Sequence, residues 1–221
     1  HSILPGSAFE YYSGIGFSRS VTTDPDGSYY AMRSVNSTKY LVIQSYKLEY
    51  SATKTLLENL KNFEKIDEQD GFTIIKNKAY IPIGYSNSYY ISDDEYEKIA
   101  KSNRDNMLAR AVVLSDEQIE KYSDILPELE PDRYSDFNYY TFEKDAQELA
   151  KTAVDTFTPT ANGLKATSSF TEDRFVTFTV PWESGWSATI NGEKAEIEKV
   201  NRGVMGIKVP AGECNIEFNY V

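Results

Sequence analysis

The carboxy-terminal stretch of residues 175–220 constrains the fold most, because short apolar segments alternate there with turn-forming residues. Residues 175–180 are aromatic or β-branched throughout, which is the composition of a half-buried strand. Residues 186–190 continue into Asn191-Gly192, the dipeptide most typical of a two-residue hairpin because both of its positions tolerate positive φ. Short strands joined by turns of this length are antiparallel, so the stretch predicts a β-sandwich.

The alternation of residues also predicts which faces of the later strands are buried. The final strand places four side chains on one face, namely Cys214, Ile216, Phe218 and Tyr220. Cys214 is therefore expected to be a buried structural thiol rather than a nucleophile. Between residues 195 and 199, Glu196 and Glu198 alternate with apolar residues, so one face of that segment is expected to meet solvent.

The first two-thirds of the chain carries a different pattern, in which strand and helix signals follow one another. Residues 39–44 predict an apolar strand, and residues 72–77 and 79–83 predict two more, separated by a tight turn. Residues 53–63 predict a helix with one buried face formed by Leu56, Leu57, Leu60 and Phe63. This order indicates a small α/β layer.

Two capping boxes predict further helices. Ser92 starts one helix, expected to run to about residue 113, and Ser115 starts a shorter one that ends before Pro127. Residues 142–154 predict a third helix, with an apolar side formed by Phe142, Ala146, Leu149, Ala150 and Ala153. Residues 138–142 could alternatively form the first strand of the sandwich.

These segments together predict an α+β protein. An amino-terminal mixed α/β region is followed by a carboxy-terminal antiparallel β-sandwich of jelly-roll-like type. The predicted domains are residues 1–135 and 136–221, with the border falling between residues 131 and 159.

The charge and the rare residues exclude several classes of function. Acidic residues number 34 against 23 basic ones, a formal charge of −11 at pH 7, so no nucleic-acid partner is expected. The only histidine is His1 and the only cysteine is Cys214, which excludes histidine-based zinc sites, catalytic dyads and an intramolecular disulfide. Neither a cofactor nor a catalytic residue is predicted.

Metal binding and membrane insertion are not predicted either. Asp24-Pro25-Asp26-Gly27 lacks the later ligands of a calcium loop and indicates a turn. The acidic run of residues 93–95 is explained by helix capping, with cation binding as the alternative. No window reaches the roughly 18–20 apolar residues that cross a bilayer, so we expect a water-exposed region of a larger protein.

Several short motifs occur in a fixed order along the chain. They are Lys-Tyr-Leu-Val-Ile at 39–43, Lys76-Asn77, Ile-Pro-Ile-Gly-Tyr at 81–85, Gly-Trp-x-x-x-Ile-Asn-Gly at 185–192, Val-Pro-Ala-Gly at 209–212 and Ile-Glu-Phe-x-Tyr at 216–220. Together they resemble the soluble region of the YfhO family of bacterial membrane proteins.

The resemblance implies a place in the cell and a role. YfhO-like proteins are multi-pass membrane proteins similar to GT-C glycosyltransferases, which use lipid-linked sugars to decorate cell-envelope polymers. The chain would then be a non-catalytic domain at the extracytoplasmic face of the bacterial membrane. Its expected partners are its own transmembrane region and a cell-wall or teichoic-acid glycan. No residue here matches a catalytic loop of that family.

Tyrosine is the residue that most suggests a ligand. The chain has 17 tyrosines, several in adjacent pairs. Exposed rings beside polar groups can stack on sugars, although tyrosine also packs in sheets and interfaces. The candidate sugar-binding residues are Tyr89, Tyr90, Tyr139, Tyr140 and Trp186. The alternative function is a structural or protein-interaction module; aromatic side chains lining one groove would favour sugar binding, and a flat apolar patch would favour the alternative.

Overall fold

A computed structural model describes residues 5–17 and 30–221 of the chain. The helices are α1 (Gly6–Ile15), α2 (Met32–Val35), α3 (Ser51–Asn59), α4 (Asp93–Lys98), α5 (Arg104–Met107), α6 (Asp116–Tyr122) and α7 (Tyr139–Ala150). Short 3-10 helices cover Ser45–Glu49, Lys101–Asn103 and Pro131–Tyr134. The Asp24-Pro25-Asp26-Gly27 motif and His1 lie outside the described residues.

The strands form several separate sheets. In the amino-terminal half they are β1 (Tyr40–Gln44), β2 (Phe63–Gln69), β3 (Phe72–Asn77), β4 (Tyr90–Ser92) and β5 (Val112–Leu114). The carboxy-terminal half contains β6 (Thr156–Thr160), β7 (Gly163–Phe170), β8 (Arg174–Pro181), β9 (Trp186–Ile190), β10 (Glu193–Ala195), β11 (Glu198–Val200), β12 (Val204–Val209) and β13 (Gly212–Tyr220). Helices before a strand-rich carboxy-terminal region confirm the α+β class.

The carboxy-terminal strands form two antiparallel sheets that face each other. One has the order β10-β9-β13-β7-β6 and the other the order β11-β12-β8. Phe178 from the smaller sheet meets Phe218 from the larger one, with ring centroids 4.9 Å apart. Both are fully buried in one apolar core that also contains Cys214 and Ile216. The predicted antiparallel sandwich and its buried thiol are confirmed.

The hairpin at Asn191-Gly192 is confirmed, but the segment after it differs from the prediction. Asn191 has φ of 52° and Gly192 has φ of 86°, and Ile190 pairs with Glu193 across the turn. The chain then leaves the larger sheet after β10 and enters the smaller one at β11, so residues 195–199 do not form one alternating strand. Glu198 consequently accepts hydrogen bonds from side chains of α6 instead of facing solvent.

The amino-terminal layer contains an antiparallel three-stranded sheet in the order β1-β3-β2, called the small sheet below. The predicted helix over residues 53–63 is too long, because α3 ends at Asn59 and Phe63 starts β2. The strand pairs with β3 from Phe63 opposite Asn77 to Gln69 opposite Phe72, which overrides the helical spacing of its apolar residues. Residues 79–83 were expected to be a strand and have irregular backbone instead.

The helix expected from Ser92 to about residue 113 is also wrong in length. Ser92 does cap α4, since its hydroxyl accepts a hydrogen bond from the Glu95 backbone N–H at 3.2 Å. The helix ends at Lys98, however, and β5 forms a parallel pair with β4. Its residues are buried on both faces, which is typical of a parallel strand. The box of Ser115 and Gln118 is complete, as predicted.

Helix α7 begins after Asn138, whose side chain accepts from two backbone N–H groups of the first turn. The alternative strand over residues 138–142 is therefore wrong. Phe142, Ala146 and Leu149 are buried in a second apolar core, shared with the amino-terminal helices and with Phe175 of the sandwich. The division of the chain at residues 135 and 136 stays a prediction.

Candidate functional site

An irregular segment, residues 84–89, runs between the sandwich and α7, and backbone hydrogen bonds fix it on both sides. Tyr85 exchanges two backbone hydrogen bonds with Thr177 of β8, at 3.1 and 2.7 Å. Ser86 donates its N–H to the Thr152 carbonyl at 3.2 Å, and the Thr152 hydroxyl donates back to the Ser86 carbonyl at 2.7 Å. The segment is thus held without belonging to a sheet, so its side chains have a defined position.

This segment forms one wall of a cavity of about 320 Å³, called the Tyr89 pocket below. Helix α7 and the 3-10 helix before it form the opposite wall. The residues that line it are Ser86, Asn87, Ser88, Tyr89, Ala109, Arg110, Arg133, Lys144, Asp145, Glu148, Leu149 and Thr152. Tyr89 is half-buried, and the guanidinium carbon of Arg133 lies 5.2 Å from the centre of its ring. The pocket therefore combines an aromatic plate with a cation.

Arg110 organises the wall formed by α7. Its Nε donates to Asp145 Oδ2 at 2.6 Å, and this ion pair is largely buried. Its Nη1 donates to the carbonyls of Arg133 and Ser135, at 2.9 and 2.7 Å. One guanidinium thus neutralises a carboxylate and fixes the backbone that carries Arg133. Arg110 has a structural role here, because its donors are committed to the protein.

Asn87 supplies a buried acceptor in the opposite wall. It is only 2% exposed, and its Nδ2 donates to the Leu108 carbonyl at 3.3 Å. Its Oδ1 accepts no hydrogen bond from any residue that the structure describes. An unsatisfied buried amide oxygen costs roughly 1–3 kcal/mol. A ligand hydroxyl that donated to this oxygen would recover that energy.

The charges that remain in the pocket favour an anionic group. Asp145 forms an ion pair with Arg110, and Glu148 forms one with Lys151, whose Nζ lies 2.7 Å from Glu148 Oε1. Arg133 approaches Asp145 only to 4.0 Å, and Lys144 forms no ion pair within the described residues. Although the chain as a whole is strongly acidic, this pocket therefore presents two available cations.

A second cavity, of about 450 Å³, borders the same segment. It shares Ser86, Asn87 and Ser88 with the Tyr89 pocket and extends to Pro127 and Phe175. The two cavities flank three consecutive residues of one fixed segment. An elongated ligand could therefore contact both, whereas a single small molecule would fill only one.

The five aromatic residues singled out from the sequence lie in separate places. Tyr89 lines the pocket, whereas its neighbour Tyr90 is buried in the core. Tyr139 and Tyr140 start α7 and are in edge-to-face contact at 5.3 Å, with Tyr140 79% exposed. Trp186 lies at the end of the sandwich against Tyr220, and its Nε1 donates to the Pro181 carbonyl at 3.2 Å. Their assignment to sugar binding stays a prediction.

Sequence reasoning missed the partners of Tyr89, which are Asn87, Arg133 and Lys144. They come from positions up to 57 residues apart that only the fold brings together. No spacing rule links them, because the segment that carries Asn87 has no regular structure. The one available signal was Tyr89 itself.

The acidic start of α4 is occupied by protein contacts. Asp93 accepts from Arg202 Nε at 2.6 Å and from its Nη2 at 2.8 Å. Within the described part of the chain, no three histidine, cysteine, aspartate or glutamate side chains converge as metal ligands would. The cation-binding alternative for residues 93–95 therefore gains no support from the geometry.

A buried carboxyl lies elsewhere, in α5. Asp105 is fully buried, and its Oδ2 accepts from the Met32 backbone N–H at 3.1 Å while its Oδ1 accepts from Asn106. Burial raises the pKa of Asp105 to about 6, although these hydrogen bonds oppose the rise. The group lines none of the cavities described above and holds the start of α2.

The fold and the pocket define a domain with a polar, cationic groove beside a β-sandwich. Residues 133–221 match the family described as "Bacterial membrane protein YfhO". Over 83 residues the chain is 28% identical to "Uncharacterized protein YfhO" of Bacillus subtilis (strain 168), and the alignment covers 38% of this chain and 10% of that relative. Residues 133–221 are therefore similar to the YfhO family of bacterial membrane proteins, which confirms the resemblance over that part of the chain. No solved structure matches the chain significantly.

The family match and the structure overlap at the pocket. The matched residues include Arg133, Lys144 and Asp145 from one wall, whereas Asn87 and Tyr89 come from the region before it. No helix among the described residues has both the length and the apolar character that a membrane crossing requires. The chain spans about a tenth of the length of its curated relative.

Proposed function

We propose that this chain is a non-catalytic, extracytoplasmic domain of a YfhO-like multi-pass membrane protein, and that it binds the glycan polymer on which its parent acts. The observation that carries the proposal is the Tyr89 pocket, in which an aromatic ring, a buried acceptor and two available cations converge. The family relationship supports the link to a membrane protein.

The chemistry of the pocket suits an anionic saccharide. The apolar face of a sugar ring stacks on a tyrosine, and its hydroxyls bond to polar groups at the edge of that plate. In this chain Tyr89 provides the plate and Asn87 Oδ1 the acceptor. Arg133 and Lys144 would bind phosphate groups, which are repeated along a teichoic acid.

The second cavity supports a polymer over a single sugar. Because both cavities border Ser86, Asn87 and Ser88, successive units of a chain could lie on either side of that segment. The role that follows is to hold an acceptor polymer near the membrane while the parent protein adds sugars to it. This would support decoration of the envelope without any catalytic residue in the chain.

Calorimetric titration of the purified chain with glycerol-phosphate oligomers, with and without sugar substituents, tests the proposal. We expect weak saturable binding that Tyr89→Ala weakens about tenfold or more, since stacking and the cation–π contact are both lost. Arg133→Gln should weaken binding of phosphate-bearing oligomers and reduce its dependence on salt. Tyr140→Ala is the matched control, because that exposed ring lies outside the pocket.

Two results would contradict this proposal. One is the absence of binding to all teichoic-acid fragments and neutral glycans in the screen. The other is binding that Tyr140→Ala weakens as much as Tyr89→Ala does, which would move the site to the start of α7. Thermal unfolding of each variant verifies that the loss is not a loss of fold.

A second candidate function is a structural module that supports the membrane part. The observation that favours it is a group of exposed aromatic side chains on and beside the small sheet, among them Tyr40, Tyr46, Tyr50 and Phe72. None of these side chains lines the Tyr89 pocket. The two functions are compatible, since the surface and the Tyr89 pocket are formed by different residues.

A further inference from the structure

One side of the small sheet carries exposed apolar side chains among polar ones. Val42 of β1 pairs directly with Ile74 of β3, and alternation places Tyr40 and Phe72 on the same side. We call these four residues the apolar face. Val42 is 63% exposed and Phe72 is 42% exposed.

The opposite side of the same sheet is buried. Thr73, Ile75 and Asn77 of β3 are each less than 5% exposed, so the sheet packs on the body of the protein through that side. In a soluble antiparallel sheet the outward face is normally polar. The outward side follows this rule at Gln44, Lys76, Glu64, Asp67 and Gln69. The exposed Val42 and Phe72 depart from it.

Exposed aromatic and aliphatic residues extend the apolar face. Tyr46 and Tyr50 follow β1, with rings 5.9 Å apart, and both are more than half exposed. The hydroxyl of Tyr46 donates to the side chain of Gln44, which shares the side of Tyr40 and Val42. Ile66, at the bulge of β2, is also exposed. Exposed apolar residues that cluster in one region favour an interaction site, whereas isolated ones do not.

The charge around the apolar face differs from that of the rest of the molecule. Residues 39–78 contain seven lysines and six acidic residues, a net charge of +1. Because the whole chain carries −11, the residues outside this range together carry −12. Lys39 lies 5.5 Å from the rings of both Tyr40 and Tyr80. Lysines beside tyrosines around an aliphatic centre are typical of surfaces at the boundary between membrane and water.

We infer that the apolar face rests in the interfacial zone of a lipid bilayer. Val42 and Phe72 would enter the boundary of the acyl chains, with the tyrosine rings at headgroup level and the lysines directed to phosphates. The similarity of residues 133–221 to a membrane-protein family supports a bilayer close to this chain, and the near-neutral charge of residues 39–78 would let this side approach it. The inference goes beyond glycan binding, because the apolar face and the Tyr89 pocket share no residue.

The test measures partition of the purified chain onto vesicles of phosphatidylethanolamine and phosphatidylglycerol by co-sedimentation. Wild type is expected to partition measurably. Val42→Glu and Phe72→Glu should each lower the partition coefficient about tenfold or more, the change expected when a Val or Phe side chain no longer leaves water. Thr158→Glu is the matched control, because it adds the same charge to an exposed strand of the sandwich and should leave partition nearly unchanged.

A further variant separates charge from hydrophobicity. Val42→Thr keeps the shape and the β-branched character of the side chain, so a severalfold loss of partition would show that apolar burial is responsible. Partition that Thr158→Glu lowers as much as Val42→Glu overturns the inference, as does a wild-type chain that stays in solution. A dimer that Val42→Glu dissociates, without vesicle binding, would assign the face to a second copy. Tyr89→Ala should partition like wild type, which distinguishes this test from that of glycan binding.

Discussion

The sandwich and the small sheet are both antiparallel, yet they are stabilised in opposite ways. The sandwich buries apolar side chains between two sheets, with Phe178 and Phe218 at its centre. The small sheet exposes Val42 and Phe72, and its buried side is mixed, with the polar Thr73 and Asn77 beside Ile75. Both regions are formed by antiparallel strand pairing, so they differ in whether their apolar side chains are buried. In the sandwich, each sheet covers the apolar face of the other. In the small sheet, no described residues cover Val42 and Phe72.

A buried polar cluster attaches the small sheet to the body. Asn62 Nδ2 donates to Asn77 Oδ1 at 2.7 Å, and Asn77 Nδ2 donates to Ser34 Oγ at 3.0 Å and to the Thr38 carbonyl at 2.9 Å. All three side chains of this cluster, Ser34, Asn62 and Asn77, are buried. Hydrogen bonds specify geometry but contribute little net energy. The attachment of the small sheet should therefore be more specific than strong.

The largest expected difference comes from removing one ring in each region. Phe178→Ala opens a cavity between the sheets of the sandwich and should lower the free energy of unfolding by about 3–5 kcal/mol. Phe72→Ala removes a side chain that already meets water and should cost less than about 1 kcal/mol. Urea unfolding of the two variants measures both values. Equal losses would show that the face of Phe72 is buried in solution.

The second prediction concerns the pH dependence of stability, which should differ between the region around Asp105 and the sandwich. Asp105 binds a proton with a pKa of about 6 in the folded state, against an ordinary value near 3.8, so folding takes up a proton between these values. Its contribution to stability is fully present below about pH 4 and is lost as the pH rises through 6. A shift of about two pKa units corresponds to roughly 3 kcal/mol.

Comparison with Asp105→Asn isolates this effect from the other carboxyl groups. Relative to that variant, wild type should lose stability between about pH 4 and pH 8, as measured by urea unfolding at each pH. Asp105 holds the Met32 backbone, and α2 carries Ser34 of the cluster that attaches the small sheet. As the pH rises, the protection of backbone amides from hydrogen exchange, corrected for their intrinsic exchange rates, should therefore fall in the small sheet before it falls in the sandwich. A constant difference between the two proteins across this range would mean that Asp105 is ionised throughout.

The third prediction tests the polar cluster itself. Asn77→Ala leaves Asn62 and Ser34 without their shared partner in a buried site, which should cost about 1–3 kcal/mol. Lys76→Ala, at the neighbouring exposed position of β3, should change stability by less than about 0.5 kcal/mol. If limited proteolysis then cuts within residues 40–77 while the sandwich stays intact, the small sheet unfolds separately. Cooperative loss of both regions would show that the cluster couples them.

The same contrast explains how much the sequence could predict. The sandwich strands were found because a dry core imposes an alternating pattern, as in β13 with Ile216 and Phe218. Strand β2 was missed because it is charged and nearly exposed throughout, and it forms only by pairing with β3. The Tyr89 pocket was missed apart from Tyr89 itself, since Asn87 and Arg133 meet only after α7 packs on the body. The hydrophobic pattern of a sequence predicts which side of one helix or strand is buried. It does not predict a site whose residues come from irregular segments, because such segments have no periodic pattern.

The smallest expected effect compares two turns with the same backbone. Asp70-Gly71 joins β2 to β3 with φ of 51° and 79°, as Asn191-Gly192 joins β9 to β10 with φ of 52° and 86°. A Cβ added to either glycine would meet no atom within 4 Å, so the cost of alanine is conformational only. Gly71→Ala and Gly192→Ala should each lose about 1 kcal/mol. Equal losses of stability in thermal unfolding would show that the two regions differ only in how they bury their apolar residues. A much smaller loss for Gly71→Ala would show that the small sheet opens before the rest of the protein unfolds.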